Sequence, residues 1–365
     1  MAALNNLKIG GFRGIRNLDV PALGAVNLVV GDNNSGKTSV LEALQLLRSP
    51  SPATANLYRT ARLRESLSLS GANSIYESFI SMFPKDGKDK EISLSAGTDS
   101  GTLSCSLRGR ESRILLDPDE LEGSLRRQLS GSGEGFETDE FRGTLEYRDG
   151  DVSRREEIRI NRYSSVSGTA VGDDDGLRIV YVSPFEHLRG NIISLIVKND
   201  SYREICVRAL QLFDPDIEDM MIYRSDTGNR PVEYLKHRRL GAMPLSTYGD
   251  GIKKVLALSN AAASARDGIL LIDEIETAIH KKYYDDVFRF IVKVSKAFNV
   301  QMFITTHSLE AIDGLLATQD YDSRNGEDDI MVVTLRRENG RTLSRVMPGR
   351  DVSRNREAFG FEVRL

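Results

Sequence analysis

An eight-residue stretch, Gly31-Asp32-Asn33-Asn34-Ser35-Gly36-Lys37-Thr38, constrains this chain more than any other. It is a complete G-x-x-x-x-G-K-[ST] phosphate-binding loop, and its flanks are those its mechanism needs. The apolar run from Val26 to Val30 leads in like a buried strand. Val40, Leu41, Ala43, Leu44, Leu46 and Leu47 lead out with the spacing of an amphipathic helix. Strand, glycine loop and helix start together make a nest of backbone N–H groups at a positive helix end. In such a nest Asn33, Asn34, Ser35, Gly36 and Ser39 line the phosphates. Lys37 reaches the β- and γ-phosphates, and Thr38 holds Mg²⁺. The loop therefore predicts an ATP site with Mg²⁺ as its metal.

Composition narrows the classes around that loop. The chain has 365 residues, enough for one large domain or two smaller ones. Charged residues make up 28% and apolar residues 40%, as in ordinary water-soluble proteins. No apolar run approaches the ~18 residues of a membrane span. The first eight residues lack the charged-then-apolar build of a signal peptide. Cys105 and Cys206 are isolated, so neither a zinc site nor a disulfide framework is expected, and a cytoplasmic location is. The 49 basic residues are outnumbered by 53 acidic ones. A dedicated nucleic-acid binder carries a basic excess, so DNA contact would need a local patch. Lys236 to Arg239, Arg108 with Arg110 and Arg113, and Arg154 with Arg155 are the candidates. Solvated surface is the simpler reading of each.

Along the chain, residues 4–48 read as strand, turn, strand, loop and helix. Pro50 and Pro52 end that helix. Residues 90–162 carry short alternating runs separated by turn residues: Glu91–Ser95, Thr102–Leu107, Gly143–Tyr147 and Glu157–Ile160. Such runs predict an antiparallel sheet with one wet face. An acidic, Gly/Ser-rich stretch at 117–139 reads as a loop around a short helix, and Ser167 to Gly176 as a linker. A buried strand is expected at Leu177–Val182, helix over 186–214, and a turn into a strand at Asp214–Met220. The last third alternates: strand Gly268–Ile272, helix 276–298, strand Val300–Thr305, helix 308–316, then Ile330–Leu335 in a hairpin with Leu343–Val346. Alternation of this kind predicts an α/β fold around a parallel sheet. The expected division is a single ATPase unit over 1–365. Residues 1–48 and 177–365 form its nucleotide-binding core, and 49–176 an inserted β-rich lobe with a helical segment.

Hydrolysis needs more than a phosphate loop. The strand Ile269–Ile272 ends in Asp273 and Glu274. Asp273 at the strand tip suits the Mg²⁺ shell, and Glu274 suits the base that orients and deprotonates the attacking water. Phe303-Ile304-Thr305-Thr306-His307-Ser308 is another buried strand ending in a hydroxyl-rich turn. In a doubly wound sheet such carboxyl-end loops converge on one crevice, which puts His307 near the γ-phosphate as a sensor. A third element, Leu245 to Lys254, opens an Ala-rich helix. Ser246, Gly249, Asp250 and Gly251 leave backbone N–H groups open there, a second anion site. Its own chain already holds the phosphates in the first loop, so this one makes sense against a partner's nucleotide.

These four segments, in this order, resemble the ABC type of ATPase head domain: phosphate loop, signature loop, Asp-Glu strand, histidine switch. The opening Phe12-Arg13-Gly14-Ile15, and the continuation Ser39-Val40-Leu41-Glu42-Ala43-Leu44, are similar to soluble ATPases related to RecF, SMC and OLD proteins. The signature is similar to a degenerate L-G-x-G form, with Gly249 in the usual serine's place and Ser246 and Thr247 close by. Asp214–Met220 and Glu276–His280 resemble stand-alone AAA ATPases encoded beside small effector genes.

The resemblance implies a P-loop NTPase fold of ABC-head type and a head-to-tail homodimer closing over two ATP molecules. It places Arg13 among the nucleotide-binding residues, His280 in a loop facing the opposing protomer, and Ser183 where a Q-loop glutamine is usual. It implies a regulatory ATPase of a prokaryotic anti-phage defence system, acting with a separately encoded nuclease or toxin. The chain ends about 58 residues beyond His307, too few for the nuclease domain that OLD proteins carry after the head. The alternatives are a RecF-like DNA repair clamp and an ATP-dependent scaffold with little turnover.

Overall fold

The computed structural model describes residues 3–48, 53–63, 74–85, 89–116, 136–164, 177–188, 192–194, 196–224, 231–321 and 328–364. Of the loop expected at 117–139, residues 117–135 lie outside these residues, as does the linker at 167–176, while 136–139 belong to a strand rather than a loop. Fifteen strands are described: β1 (Leu7–Phe12), β2 (Ile15–Val20), β3 (Val26–Gly31), β4 (Asp89–Thr98), β5 (Gly101–Leu116), β6 (Phe136–Asp149), β7 (Val152–Asn161), β8 (Ile179–Val182), β9 (Ile217–Arg224), β10 (Pro231–His237), β11 (Gly241–Pro244), β12 (Ile269–Ile272), β13 (Gln301–Thr305), β14 (Ile330–Glu338) and β15 (Arg341–Pro348).

The central sheet has the order β15-β14-β3-β13-β12-β8. Its inner pairings are parallel, and β15 closes one edge as the antiparallel arm of a hairpin. Both faces of its centre are covered, so the inner strands are largely apolar; β12 is Ile-Leu-Leu-Ile and wholly buried. The period of two splits them between two cores. Leu28, Val30, Leu270, Ile272 and Ile304 face the helices Asp250–Ser264, Tyr284–Ala297 and Leu309–Leu316. Val29, Ile269, Leu271, Phe303 and Val333 face the other way, toward the phosphate-loop helix Lys37–Leu44 and a second sheet. That second sheet, β2-β1-β4-β5-β6-β7, is antiparallel throughout. The architecture is three-layered and of the P-loop α/β type.

The helix Tyr284–Ala297 shows why the outer layer forms. Val287, Phe288, Ile291, Val292 and Val294 recur at three- and four-residue spacing and are buried. Asp285 and Asp286 lie in its first turn and Lys296 in its last, each favourable against the helix dipole.

Two sequence expectations change. β1 joins β4 by pairs such as Lys8↔Ser95 and Ile9↔Leu94, so the antiparallel sheet crosses the boundary drawn at residue 48. The stretch 186–214 is broken: single 3₁₀ turns at Glu186–Leu188 and Ile196–Lys198 precede one helix, Asp200–Leu210, capped by Asn199. Apolar spacing in that stretch reports burial, and short turns meet it as well as one long helix does. The strand after Asp214 is the first of three in a small antiparallel sheet, β11-β10-β9. A further helix, Gly349–Phe359, follows β15. It buries little, so it leaves a weak periodic signal.

Candidate active site

The carboxyl ends of β3, β12 and β13 lie side by side in the register of the parallel sheet, with Ile272 opposite Ile304 and Thr305 opposite Val29. The loops leaving them carry the site. Leaving β3, Gly31 has φ 142° and Gly36 has φ 105°, while Asn34 sits at φ 65°. A Cβ on Gly31 would stand 2.2 Å from the Leu335 carbonyl oxygen, so the first glycine is fixed by a close backbone approach. The helix Lys37–Leu44 starts with no side-chain cap, leaving its first N–H groups toward the loop. Lys37 Nζ donates to the Gly31 and Asp32 carbonyls at 2.7 and 2.9 Å. Burial pulls its pKa down, opposed by the carboxylates of Glu274, Asp273, Asp32 and Glu276. Ser35 Oγ is buried and accepts or donates no hydrogen bond within the protein. An orphaned hydroxyl inside an amide-lined loop fits a phosphate oxygen. Asn33 and Asn34 are exposed, and Ser39 is buried.

Asp273 is the centre of the arrangement. Its Oδ1 accepts from Thr305 Oγ1 at 2.5 Å and from Thr38 Oγ1 at 3.3 Å, and its Oδ2 accepts from Tyr181 O–H at 3.1 Å. Three strands and the phosphate-loop helix thus meet on one buried carboxylate. Hard oxygen donors from Asp273 and Thr38 at this spacing fit Mg²⁺, which when bound would neutralise phosphate charge there. Glu274 follows with φ 47°, a left-handed conformation that costs a non-glycine residue about 1 kcal/mol. Two bonds hold it: Glu274 N–H donates to Thr305 Oγ1 at 2.9 Å, and Ile275 N–H to the Thr305 carbonyl at 3.2 Å. The Glu274 carboxylate is only partly buried, with Thr277 Oγ1 at 3.5 Å. A carboxylate beside a metal-type aspartate, open to a ligand, suits a general base.

The sequence of residues 26–313 matches the family described as "AAA domain, putative AbiEii toxin, Type IV TA system". The chain belongs to this AAA family. It is also similar to an "ATP/GTP phosphatase" of Helicobacter pylori, 22% identical over 87% of this chain and 90% of that one. An uncharacterized protein of Methanocaldococcus jannaschii is 32% identical over 32% of this chain and 98% of its own length. Among solved structures, an Smc head domain with an extended coiled coil, bound to the C-terminal domain of ScpA, from Pyrococcus furiosus, covers 99% of this chain and all of its own at 14% identity, with a TM-score of 0.49.

In this AAA-domain ATPase the remaining predicted residues fall as follows. His307 is exposed. Glu276 Oε1 accepts both its Nδ1–H, at 3.0 Å, and its backbone N–H, at 3.1 Å. Ser246, Gly249 and Asp250 are exposed, and Gly251 is half-buried. They open the helix Asp250–Ser264, whose N-cap Gly249 supplies no side chain. None of the four bonds to the loop 31–38. His280 is exposed and caps the turn Lys281–Tyr283. Arg13 has its guanidinium buried against Glu42, Nε to Oε2 2.6 Å, and Nη1 donates to Ser81 Oγ at 3.2 Å. Glu42 is fully buried on the phosphate-loop helix, so Arg13 pairs with that helix from inside. Ser183 lies just after β8. It is buried and donates to Glu186 Oε2 at 3.0 Å.

Sequence reasoning passed over three contributors. Thr305 stood within the quoted strand end, but nothing marks a threonine that supports both acidic residues. Tyr181 reads as an apolar strand residue. Lys254 reads as a surface charge, yet it is fully buried, with Nζ donating to the Pro184 carbonyl at 3.3 Å. The basic clusters are largely paired: Lys236 and Arg238 with Glu218, Arg239 with Asp216, Arg108 with Glu91, Arg110 with Asp89, Arg113 with Glu137 and Asp139, and Arg155 with Glu146 and Glu157. Among the described residues Asp214, Asp216 and His237 have metal-ligand spacing. However, His237 Nδ1 accepts from the Arg239 and Leu240 N–H groups, which leaves Nε2 carrying its hydrogen toward Asp214. No helix of the described residues is long and apolar enough to cross a membrane.

Proposed function

We propose that this protein hydrolyses ATP at a composite site completed by a second copy of itself, and that ATP acts as its clamp signal. The observation that carries the reading is the convergence on Asp273 of Thr38 from the phosphate loop and Thr305 from the histidine strand, with Glu274 turned out beside it. Lys37 and the amides of 33–39 bind the phosphates, and Thr38 and Asp273 hold Mg²⁺. Glu274 takes the proton of the attacking water, and His307, fixed by Glu276, senses the γ-phosphate. Ser246, Gly249, Asp250 and Gly251 form an uncapped, exposed helix start unconnected to their own loop. Such a start suits the γ-phosphate held by a partner protomer. The toxin–antitoxin context of the family description is in keeping with a defence role, and a separately encoded nuclease or toxin partner is part of this proposal. The pairing of the basic clusters with carboxylates weighs against the DNA-clamp alternative.

The test is Glu274→Gln, which keeps shape and removes the base. Phosphate release should fall by about a hundredfold or more, ATP should still bind, and an ATP-dependent dimer should accumulate in light scattering. Parental turnover would refute the base assignment. Lost turnover in a chain that stays monomeric with ATP would refute the composite site.

A further inference from the structure

Gly360 ends the helix Gly349–Phe359 in the left-handed conformation, φ 61°, with its N–H returned to the Arg356 carbonyl at 2.9 Å. That turn sends residues 361–364 back across the sheet. Arg356 Nη1 donates to the Phe361 carbonyl at 2.7 Å, and the Arg345 guanidinium lies 5.0 Å from the Phe361 ring centre. Thr334 Oγ1 donates to the Val363 carbonyl at 2.8 Å, and Val363 is fully buried. Thr334 pairs with Val30, and its neighbour Leu335 with Gly31. The segment is therefore anchored at the register where β3 runs into the phosphate loop.

The anchoring delivers Arg364 to the switch loop. Its Nε and Nη2 donate to the two carboxylate oxygens of Glu362 at 2.8 and 2.9 Å, a two-point grip that fixes the guanidinium plane. The remaining Nη1 donates to the His307 carbonyl at 3.0 Å. His307 is thus held from both sides, its N–H by Glu276 and its carbonyl by Arg364. Its side chain is otherwise 57% exposed, so backbone restraint decides where the ring points.

We infer that Arg364 is a positioning residue for hydrolysis, fixing the His307 backbone so that the imidazole faces the γ-phosphate. This rests on the role proposed for His307. Arg364 touches the carbonyl and not the ring, so it acts on geometry and leaves ground-state nucleotide binding alone. A one-ångström displacement of a reacting group costs up to about a hundredfold in rate.

The experiment uses the full chain and reads kcat by phosphate release and ATP affinity with a fluorescent ATP analogue. Arg364→Ala should lower kcat about tenfold and change affinity less than about twofold. Arg364→Lys, which reaches the carbonyl but loses the two-point grip, should recover part of the rate. His307→Ala combined with Arg364→Ala should be no slower than His307→Ala alone. An unchanged kcat in Arg364→Ala, equal losses in kcat and affinity, or multiplied losses in the double variant would each overturn the inference. Should His307→Ala alone leave kcat unchanged, the histidine's role fails, and this inference with it.

Discussion

Replacing Lys254 by methionine should make this protein more stable at neutral pH. Lys254 sits in the second turn of the helix Asp250–Ser264 and is fully buried. Burial pulls its pKa from 10.5 down to about 8, against the attraction of Glu276, Asp273, Glu186 and Glu274. Desolvation therefore outweighs four carboxylates. At about 1.4 kcal/mol per pKa step, the lysine charge costs the folded state about 3 kcal/mol at pH 7. The folded chain holds this proton less tightly than the unfolded one. The cost is complete below about pH 8 and is relieved as pH rises toward 10.5. Methionine fills similar volume without the charge, as with other buried ions replaced by apolar groups. Lys254→Met should gain up to about 3 kcal/mol at pH 7, or about 4 °C in Tm for a chain of this size. Urea denaturation at pH 7 and pH 10 reads the difference. The gain should be present at pH 7 and mostly gone at pH 10. A variant less stable than the parent at pH 7, or a difference that does not move with pH, refutes the reasoning.

Two further outcomes follow from the same geometry. Thr305→Val removes the hydroxyl that donates to Asp273 and accepts from the Glu274 N–H, leaving both groups unpaired. At about 1–3 kcal/mol for each unsatisfied group, both Tm and kcat should fall, and a parental kcat would show that this support is not needed. Lys37→Ala removes the charge aimed at the β- and γ-phosphates. ATP binding by calorimetry should be lost, and affinity within about threefold of the parent would count against the phosphate-loop assignment.

The phosphate loop, the Asp-Glu strand end and the central sheet could be read from the chain because each is local. A glycine pattern specifies backbone conformation, and a wholly apolar run such as Ile269–Ile272 reports two covered faces. The 15-residue helix after Gly249 was legible for the same reason. The pairing of Arg13 with the buried Glu42 was not legible, because the motif does not say which carboxylate the guanidinium meets. The 186–214 stretch was misread because an apolar period does not say whether one helix or several short turns provide the burial.

By itself, then, the sequence determined the loop that cradles phosphates, the two carboxylates placed after β12 and the histidine placed after β13. Each follows from short-range pattern and the pleat of a buried strand. Only the tertiary structure decided that Asp273 would meet Thr38, Thr305 and Tyr181 at one point. It also decided that a lysine would be buried beside them, and that residue 364 would reach residue 307. Those hydrogen bonds join positions 32 to 235 residues apart. They exist because parallel strands in register bring their carboxyl ends together, which no local pattern encodes.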